Sequence, residues 1–278
     1  MPKFRYILKM FACFCIALSL LMTGCNEPIG ETSESLQSSA ESSGAESSDD
    51  IPVGGTPADK PSDKKRVAIT FDDGPHNVRD EEILDELDKY GFKATFFVVG
   101  NRVDGTEYGG GKSVKAIVDR GHEIGIHGYT HNVYYDECSD AEFESEMNKT
   151  LSAIRQYVPG YNVKLMRPVG GYITDARVQS CKYSVIMWDV DSEDYKHSYQ
   201  PSTSLSEAEQ QARVDIIVEN VMSEVKDGSI ILMHDIYLST SHATAIILER
   251  LYNEGYEVVT VSELLGDPQP GVKYSSAK

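Results

Sequence analysis

The sequence predicts an α/β chain whose strands and helices curl into a distorted, incomplete (β/α) barrel of the TIM type, with about seven strand-helix units. Three observations carry this expectation. From residue 64 onward short apolar runs alternate with amphipathic stretches. Strands separated by helices pair in parallel through crossover connections. Residues able to do chemistry recur directly after the apolar runs, which is where a barrel collects its functional loops. A doubly wound open sheet is the second arrangement that such alternation permits.

Residues 66–71 (RVAITF) read as a buried strand, and 81–90 as a helix with Ile83, Leu84 and Leu87 on one face and Gly91 as its stop. A strand follows at 94–99, then a helix at 113–120 ended by Gly121, and a strand at 122–126. Residues 141–158 form a long helix in which Phe143, Met147, Leu151 and Ile154 recur at helical spacing. Strands at 163–166, 184–188 and 229–233, helices at 206–226 and 243–254, and a last strand at 257–261 complete the series. The folded domain is expected to span 64–268, with 269–278 as a tail.

The first 63 residues differ in kind. Residues 1–25 begin with Lys3, Arg5 and Lys9, continue through an apolar run at 11–22, and end in small residues before Cys25. The run is too short to cross a bilayer comfortably, so it reads as an export signal. Its ending, Leu21, Met22, Thr23, Gly24, Cys25, resembles the bacterial lipoprotein signal, which implies that Cys25 becomes the lipid-modified first residue of the mature chain. Residues 26–63 hold nine serines, nine acids and no aromatic residue. Such a segment cannot offset the entropy of ordering its backbone and reads as a disordered linker with a reach of roughly 35 Å.

The composition sets limits on function. Over 278 residues, 40% are hydrophobic and 25% charged, which suits a soluble domain and excludes a multi-span membrane protein. A net charge of −18 argues against a nucleic-acid partner held by charge. The five cysteines form no CxxC pair, so neither a cysteine-rich zinc module nor a disulfide framework is indicated, and no bridge is expected between Cys138 and Cys181.

Five stretches carry chemistry. His127 and His131 form an HxxxH pair that can present both imidazoles to one metal ion. Asp72 and Asp73 leave an apolar strand side by side, an arrangement that is costly unless a cation compensates. Arg167, the acidic run from Asp189 to Asp194 after Trp188, and His234 each follow a strand. Each also has an ordinary reading: turn chemistry for DDGP, a packing or surface role for the histidines, a salt-bridge partner for Arg167, a solvated loop for the acids.

Taken in order, these stretches resemble the polysaccharide deacetylase family, carbohydrate esterase family 4, over about residues 64–266. TFDDGP (70–75), HGYTH (127–131), RPVGG (167–171), WDVDSEDY (188–195) and LMH (232–234) are similar to its five motifs. The resemblance implies Asp73, His127 and His131 as ligands of a divalent metal, zinc foremost, with cobalt or nickel as other fits. It implies Asp72 as general base, Arg167 as its orienting partner, His234 as general acid and Asp194 as the group that raises the acid's pKa. The Gly170 N–H would share the oxyanion with the metal, while Tyr195 and Leu232 would line the slot for the acetyl methyl. Gly128, Val169 and Tyr195 depart from the family pattern, which puts substrate fit and rate in question more than reaction type.

The implied function is metal-dependent removal of N-acetyl groups from the amino sugars of a polysaccharide, with acetate released. A lipid anchor would hold the enzyme at the cell membrane, facing the cell wall, which favours peptidoglycan as the N-acetylated glycan. Chitin-type oligomers, exopolysaccharide and xylan are the other substrates, and a glycan-binding lipoprotein without turnover is the rival function. No protein partner is implied.

Overall fold

The computed structural model describes residues 64–105 and 109–277. The signal reading of 1–25, the lipidation site Cys25 and the linker at 26–63 lie outside the described residues. In chain order the elements are β1 (Lys65–Asp72), α1 (Asn77–Tyr90), β2 (Thr95–Val98), α2 (Gly100–Asp104), α3 (Gly110–Asp119), β3 (Glu123–Ile126), α4 (Asp140–Tyr157) and β4 (Leu165–Met166). There follow α5 (Asp175–Ser180), β5 (Ser184–Ile186), β6 (Val190–Asp191), α6 (Glu207–Met222), β7 (Ile230–His234), α7 (Leu238–Asn253), β8 (Tyr256–Val258), α8 (Val261–Leu265) and β9 (Lys273–Tyr274).

All named strands pair in parallel, in the order β6-β7-β1-β2-β3-β4-β5-β9, with β8 beside the first residues of β1. Among the described residues nothing joins β6 to β9, so the curled sheet stays open and the barrel is incomplete. The period of two sorts the side chains. On β1, Val67, Ile69 and Phe71 enter the large core beneath the helices, together with Ile83, Leu84 and Leu87 of α1. Ala68 belongs instead to a second, smaller cluster with Phe97, Leu165, Ile186 and Ile230. Each large aliphatic side chain so buried contributes about 1.5–3 kcal/mol. The same alternation carries Thr70 and Asp72 of β1, and Leu232 and His234 of β7, onto the face of the smaller cluster. The apolar pattern thus aims the polar strand ends inward.

The structure corrects several boundaries. The expected strand at 257–261 ends at Val258, because Thr260 and Glu263 form a reciprocal capping box that starts α8. The expected helix at 206–226 stops at Met222. Within the tail expected at 269–278, the described residues include a strand: β9 pairs with β5, Lys273 opposite Val185 and Tyr274 opposite Ile186. Elements of two to six residues, such as β6, β9, α2 and α5, are too short to show a period in sequence. Cys138 and Cys181 are free thiols. No helix among the described residues is long and apolar enough to cross a membrane.

Candidate active site

The last residue of β1, Asp72, is almost fully buried, and its Oδ1 accepts a hydrogen bond from Arg167 Nη1 at 2.8 Å. Arg167 itself is wholly buried at the end of β4. Its guanidinium also donates to Thr70 Oγ1 at 2.7 Å and to the carbonyls of Ile186 and Met187. Its Cζ lies 4.3 Å from the centre of the Phe97 ring. With so many donors engaged, the fork cannot swing, and it fixes the carboxylate of Asp72 in one orientation.

Asp73, the next residue, turns away with φ 74°. Its carboxylate meets His131 Nε2 at 2.9 Å and His127 Nε2 at 3.4 Å. One ligand atom from each of these three side chains lies within 4.8 Å of the others. His127 Nδ1 lies 3.0 Å from the Arg167 carbonyl, which requires a proton on Nδ1 and turns Nε2 towards Asp73 as the nitrogen open to a cation or a second proton. Asp73 Oδ1 is buried and makes no hydrogen bond of regular geometry. Burial disfavours charge on both groups. Nevertheless Asp72 and Asp73 hold the His127 pKa above its ordinary value, and the two histidines hold Asp73 well below the carboxylate range. Two imidazole nitrogens, one carboxylate oxygen and a local demand for positive charge fit a divalent cation.

Across from this cluster, β7 places His234 in register with Asp72 of β1, so the two side chains leave neighbouring strands on the same face. His234 Nδ1 lies 2.7 Å from Asp194 Oδ1. The other Asp194 oxygen accepts from the His234 backbone N–H and from Thr240 Oγ1, each at 2.7 Å. Burial would depress the His234 pKa, but the Asp194 carboxylate outweighs it and raises the value to about 9. Tyr195 stands edge-on to His234 with ring centres 5.8 Å apart, and Leu232 is buried two residues earlier on the same strand face. The turn at Val169–Gly171 uses the N–H groups of Gly171 and Tyr172 but not that of Gly170. Among the described residues the three non-glycine positions with positive φ are Asp73, His131 and Glu193, the last directly before Asp194. Among the described residues, the non-glycine positions held in the left-handed region thus cluster at this rim.

Sequence reasoning missed the residues that hold these loops. Glu146 of α4 is buried. Its Oε2 accepts the N–H groups of Tyr129 at 2.7 Å and Thr130 at 2.9 Å, so it braces the turn between His127 and His131. Thr150, one helical turn on, donates to the Gly128 carbonyl at 2.8 Å. A signal existed, since Glu146 interrupts the apolar stripe between Phe143 and Met147. Asp80 and Asp235 were also missed. Both are fully buried; burial raises both pKa values, and their mutual repulsion raises Asp235 further, as for two carboxyls that share a proton. Asp235 packs so tightly on the DDGP turn that a Cβ on Gly74 would lie 2.2 Å from its Oδ2.

Fold and site define a class, namely incomplete (β/α) barrels that carry an Asp-His-His cluster suited to a divalent metal at the strand ends. Residues 59–185 match the family described as polysaccharide deacetylase. The peptidoglycan-N-acetylmuramic acid deacetylase PdaC of Bacillus subtilis is 36% identical over 201 residues, covering 72% of this chain and 39% of PdaC. The chain thus spans about two fifths of that relative's length. A peptidoglycan-N-acetylglucosamine deacetylase of Bacillus cereus is 35% identical, with 77% of this chain and 94% of the relative covered. The PdaC structure superposes with a TM-score of 0.63 over 73% of this chain and 91% of that one, at 35% identity. A family 4 acetyl xylan esterase from Clostridium thermocellum, solved with a cobalt ion, gives a TM-score of 0.64 at 32% identity, covering 76% and 98%. This chain belongs to the polysaccharide deacetylase family, whose deacetylases use a divalent metal.

Proposed function

We propose that the protein hydrolyses N-acetyl groups on amino sugars of a polysaccharide, with cell-wall peptidoglycan as the substrate. The observation that carries this reading is the register of Asp72 with His234 beside the Asp-His-His cluster. A proton acceptor and a proton donor thereby stand on adjacent strands at one cation site. Asp73, His127 and His131 would hold the ion, for which zinc is the first choice and cobalt or nickel also fit. When bound, the ion supplies Lewis acidity and acidifies water.

The chain's own groups do the rest. Asp72, held by Arg167, takes the proton of the attacking water. The Gly170 N–H is offered to the oxygen that gains charge when the acetyl carbon becomes tetrahedral. His234, with its proton retained by Asp194, delivers that proton from Nε2 to the nitrogen as the C–N bond breaks, giving acetate and a free amine. Leu232 and Tyr195 flank the acetyl methyl. The peptidoglycan assignment is supported by the names of the PdaC and Bacillus cereus relatives.

The test is to load the full chain with zinc or cobalt, supply muropeptides, chito-oligosaccharides and acetylated xylan in turn, and measure acetate. Release from muropeptides, lost in Asp72→Asn with the metal retained, is the expected result. A metal-loaded chain that binds glycan but frees no acetate would establish the non-catalytic reading instead. Residues 1–25 belong to the same proposal, with Cys25 as the lipid-modified residue and 26–63 as a tether. Cys25→Ser should release the protein from the membrane fraction.

A further inference from the structure

Two exposed aromatic rings at the rim have no part in the steps above. Tyr134, three residues beyond His131, is 48% exposed, and Tyr172, two residues beyond Gly170, is 54% exposed. Their rings meet edge to face with centres 5.3 Å apart. Backbone contacts tie the two loops together: the Tyr135 N–H donates to the Tyr172 carbonyl at 3.1 Å, and Tyr135 bridges to Ile173. Tyr135, between these contacts, is buried with its ring against Phe143. This anchoring fixes its neighbour Tyr134 on the solvent side.

The pair lies against the reaction centre. A Cβ on Gly170 would come within 2.8 Å of the Tyr172 ring and 3.8 Å of the Tyr134 ring. The two rings therefore stand at the amide offered to the oxyanion, while Tyr195 stands beside His234. Scattered single tyrosines on a surface need no explanation. Two in contact, braced from behind by the core and continuous with a polar catalytic rim, form a preorganised apolar patch with hydroxyls at its edge. The C–H face of a pyranose ring is the ligand surface that such a patch fits.

We infer that Tyr134 and Tyr172 form a stacking platform for a sugar unit of the glycan next to the unit that loses its acetyl group. The inference rests on the deacetylase reading. It makes the substrate an oligomer, because a single sugar in the reacting position leaves the platform uncovered. Binding energy gathered there would act at a distance from the reacting atoms.

The test uses the full, metal-loaded chain with tetra-N-acetylchitotetraose and, for comparison, N-acetylglucosamine. In the Tyr134→Ala/Tyr172→Ala double variant, KM for the tetrasaccharide should rise about tenfold, with kcat within twofold and turnover of the monosaccharide unchanged. The Tyr134→Phe/Tyr172→Phe variant, which keeps both rings, should match the wild type. Calorimetry in an Asp72→Asn background should show the same tenfold loss of tetrasaccharide affinity. An unchanged affinity and KM in the double alanine variant would overturn the platform, and so would an equal loss for both sugars. Ring-dependent binding without any acetate release would keep the platform and remove the deacetylase reading. Acetate release indifferent to the rings would do the opposite.

Discussion

His127, buried, and His234, partly buried, are imidazoles at the strand ends of one sheet, and the acceptor at Nδ1 separates the roles proposed for them. His127 meets a neutral carbonyl, that of Arg167, at 3.0 Å. His234 meets a carboxylate, that of Asp194, at 2.7 Å. The carbonyl fixes the tautomer and leaves the opposite nitrogen as a lone pair for a ligand. The carboxylate stabilises the imidazolium and leaves the opposite nitrogen as a donor. On the function proposed above, one acceptor thus decides whether a histidine would hold a cation or deliver a proton.

The sharpest way to break this contrast is to truncate each histidine in turn. His127→Ala should lose the divalent ion and, with it, at least about a thousandfold of the acetate-release rate. His234→Ala should keep a full equivalent of metal while losing about 10²–10⁴-fold in rate, the range for a general acid. Metal content after dialysis, measured beside turnover, checks both. Loss of metal in His234→Ala would mean that the two imidazoles are not separate devices.

The next effect concerns the carboxylate. With the His234 pKa raised to about 9, the alkaline limb of kcat should fall near that pH. Asp194→Asn should move the limb down towards the ordinary histidine value near 6.5, so that at pH 8 turnover drops roughly thirtyfold while metal binding is kept. The sign for stability follows from the same shift. A histidine whose pKa is higher in the folded chain stabilises fully below about pH 6.5, and that contribution disappears as pH rises through about 9. Urea melts of wild type and Asp194→Asn should therefore differ most at pH 6 and converge above pH 9. A gap that widens with pH would contradict the pairing.

Much of this was legible in the sequence because strand ends carry chemistry in barrels, and DDGP, HGYTH and LMH each follow an apolar run. The braces were harder to read. Glu146 is recognisable only as one acid inside a helical apolar stripe, and the loop that it holds lies on a different element. Asp80 and Asp235 are far apart in sequence, so their shared burial depends on tertiary packing. β9 has two residues, and its pairing with β5 supplies the order that composition could not. The Glu146 brace gives a smaller, third prediction on the ligand side of the contrast. Glu146→Gln replaces a charged acceptor by a neutral one, and metal affinity should weaken about tenfold, with kcat at saturating metal retained. A competitive zinc titration measures this, and an unchanged affinity would show that the turn holds itself.

Gly128 gives the smallest effect and tests the same turn from the other side. Sequence comparison with the family pattern suggests that a hydroxyl is missing there, so restoring serine looks like a repair. The structure argues the reverse. Gly128 has φ 79°, and a Cβ would lie 2.6 Å from the Tyr135 hydroxyl and 3.3 Å from Glu146 Oε2. The left-handed backbone costs a side chain about 1 kcal/mol, and displacing a buried hydroxyl adds to that. Gly128→Ser should therefore lower stability by about 1–2 kcal/mol in urea unfolding without raising the rate of acetate release. The Tyr135 hydroxyl is buried without a hydrogen-bond partner, so Tyr135→Phe should cost little by itself and should recover part of the serine penalty in the double variant. A cycle with no coupling between positions 128 and 135 would show that the turn relaxes freely, and would return the bracing role to a hydroxyl that this chain does without.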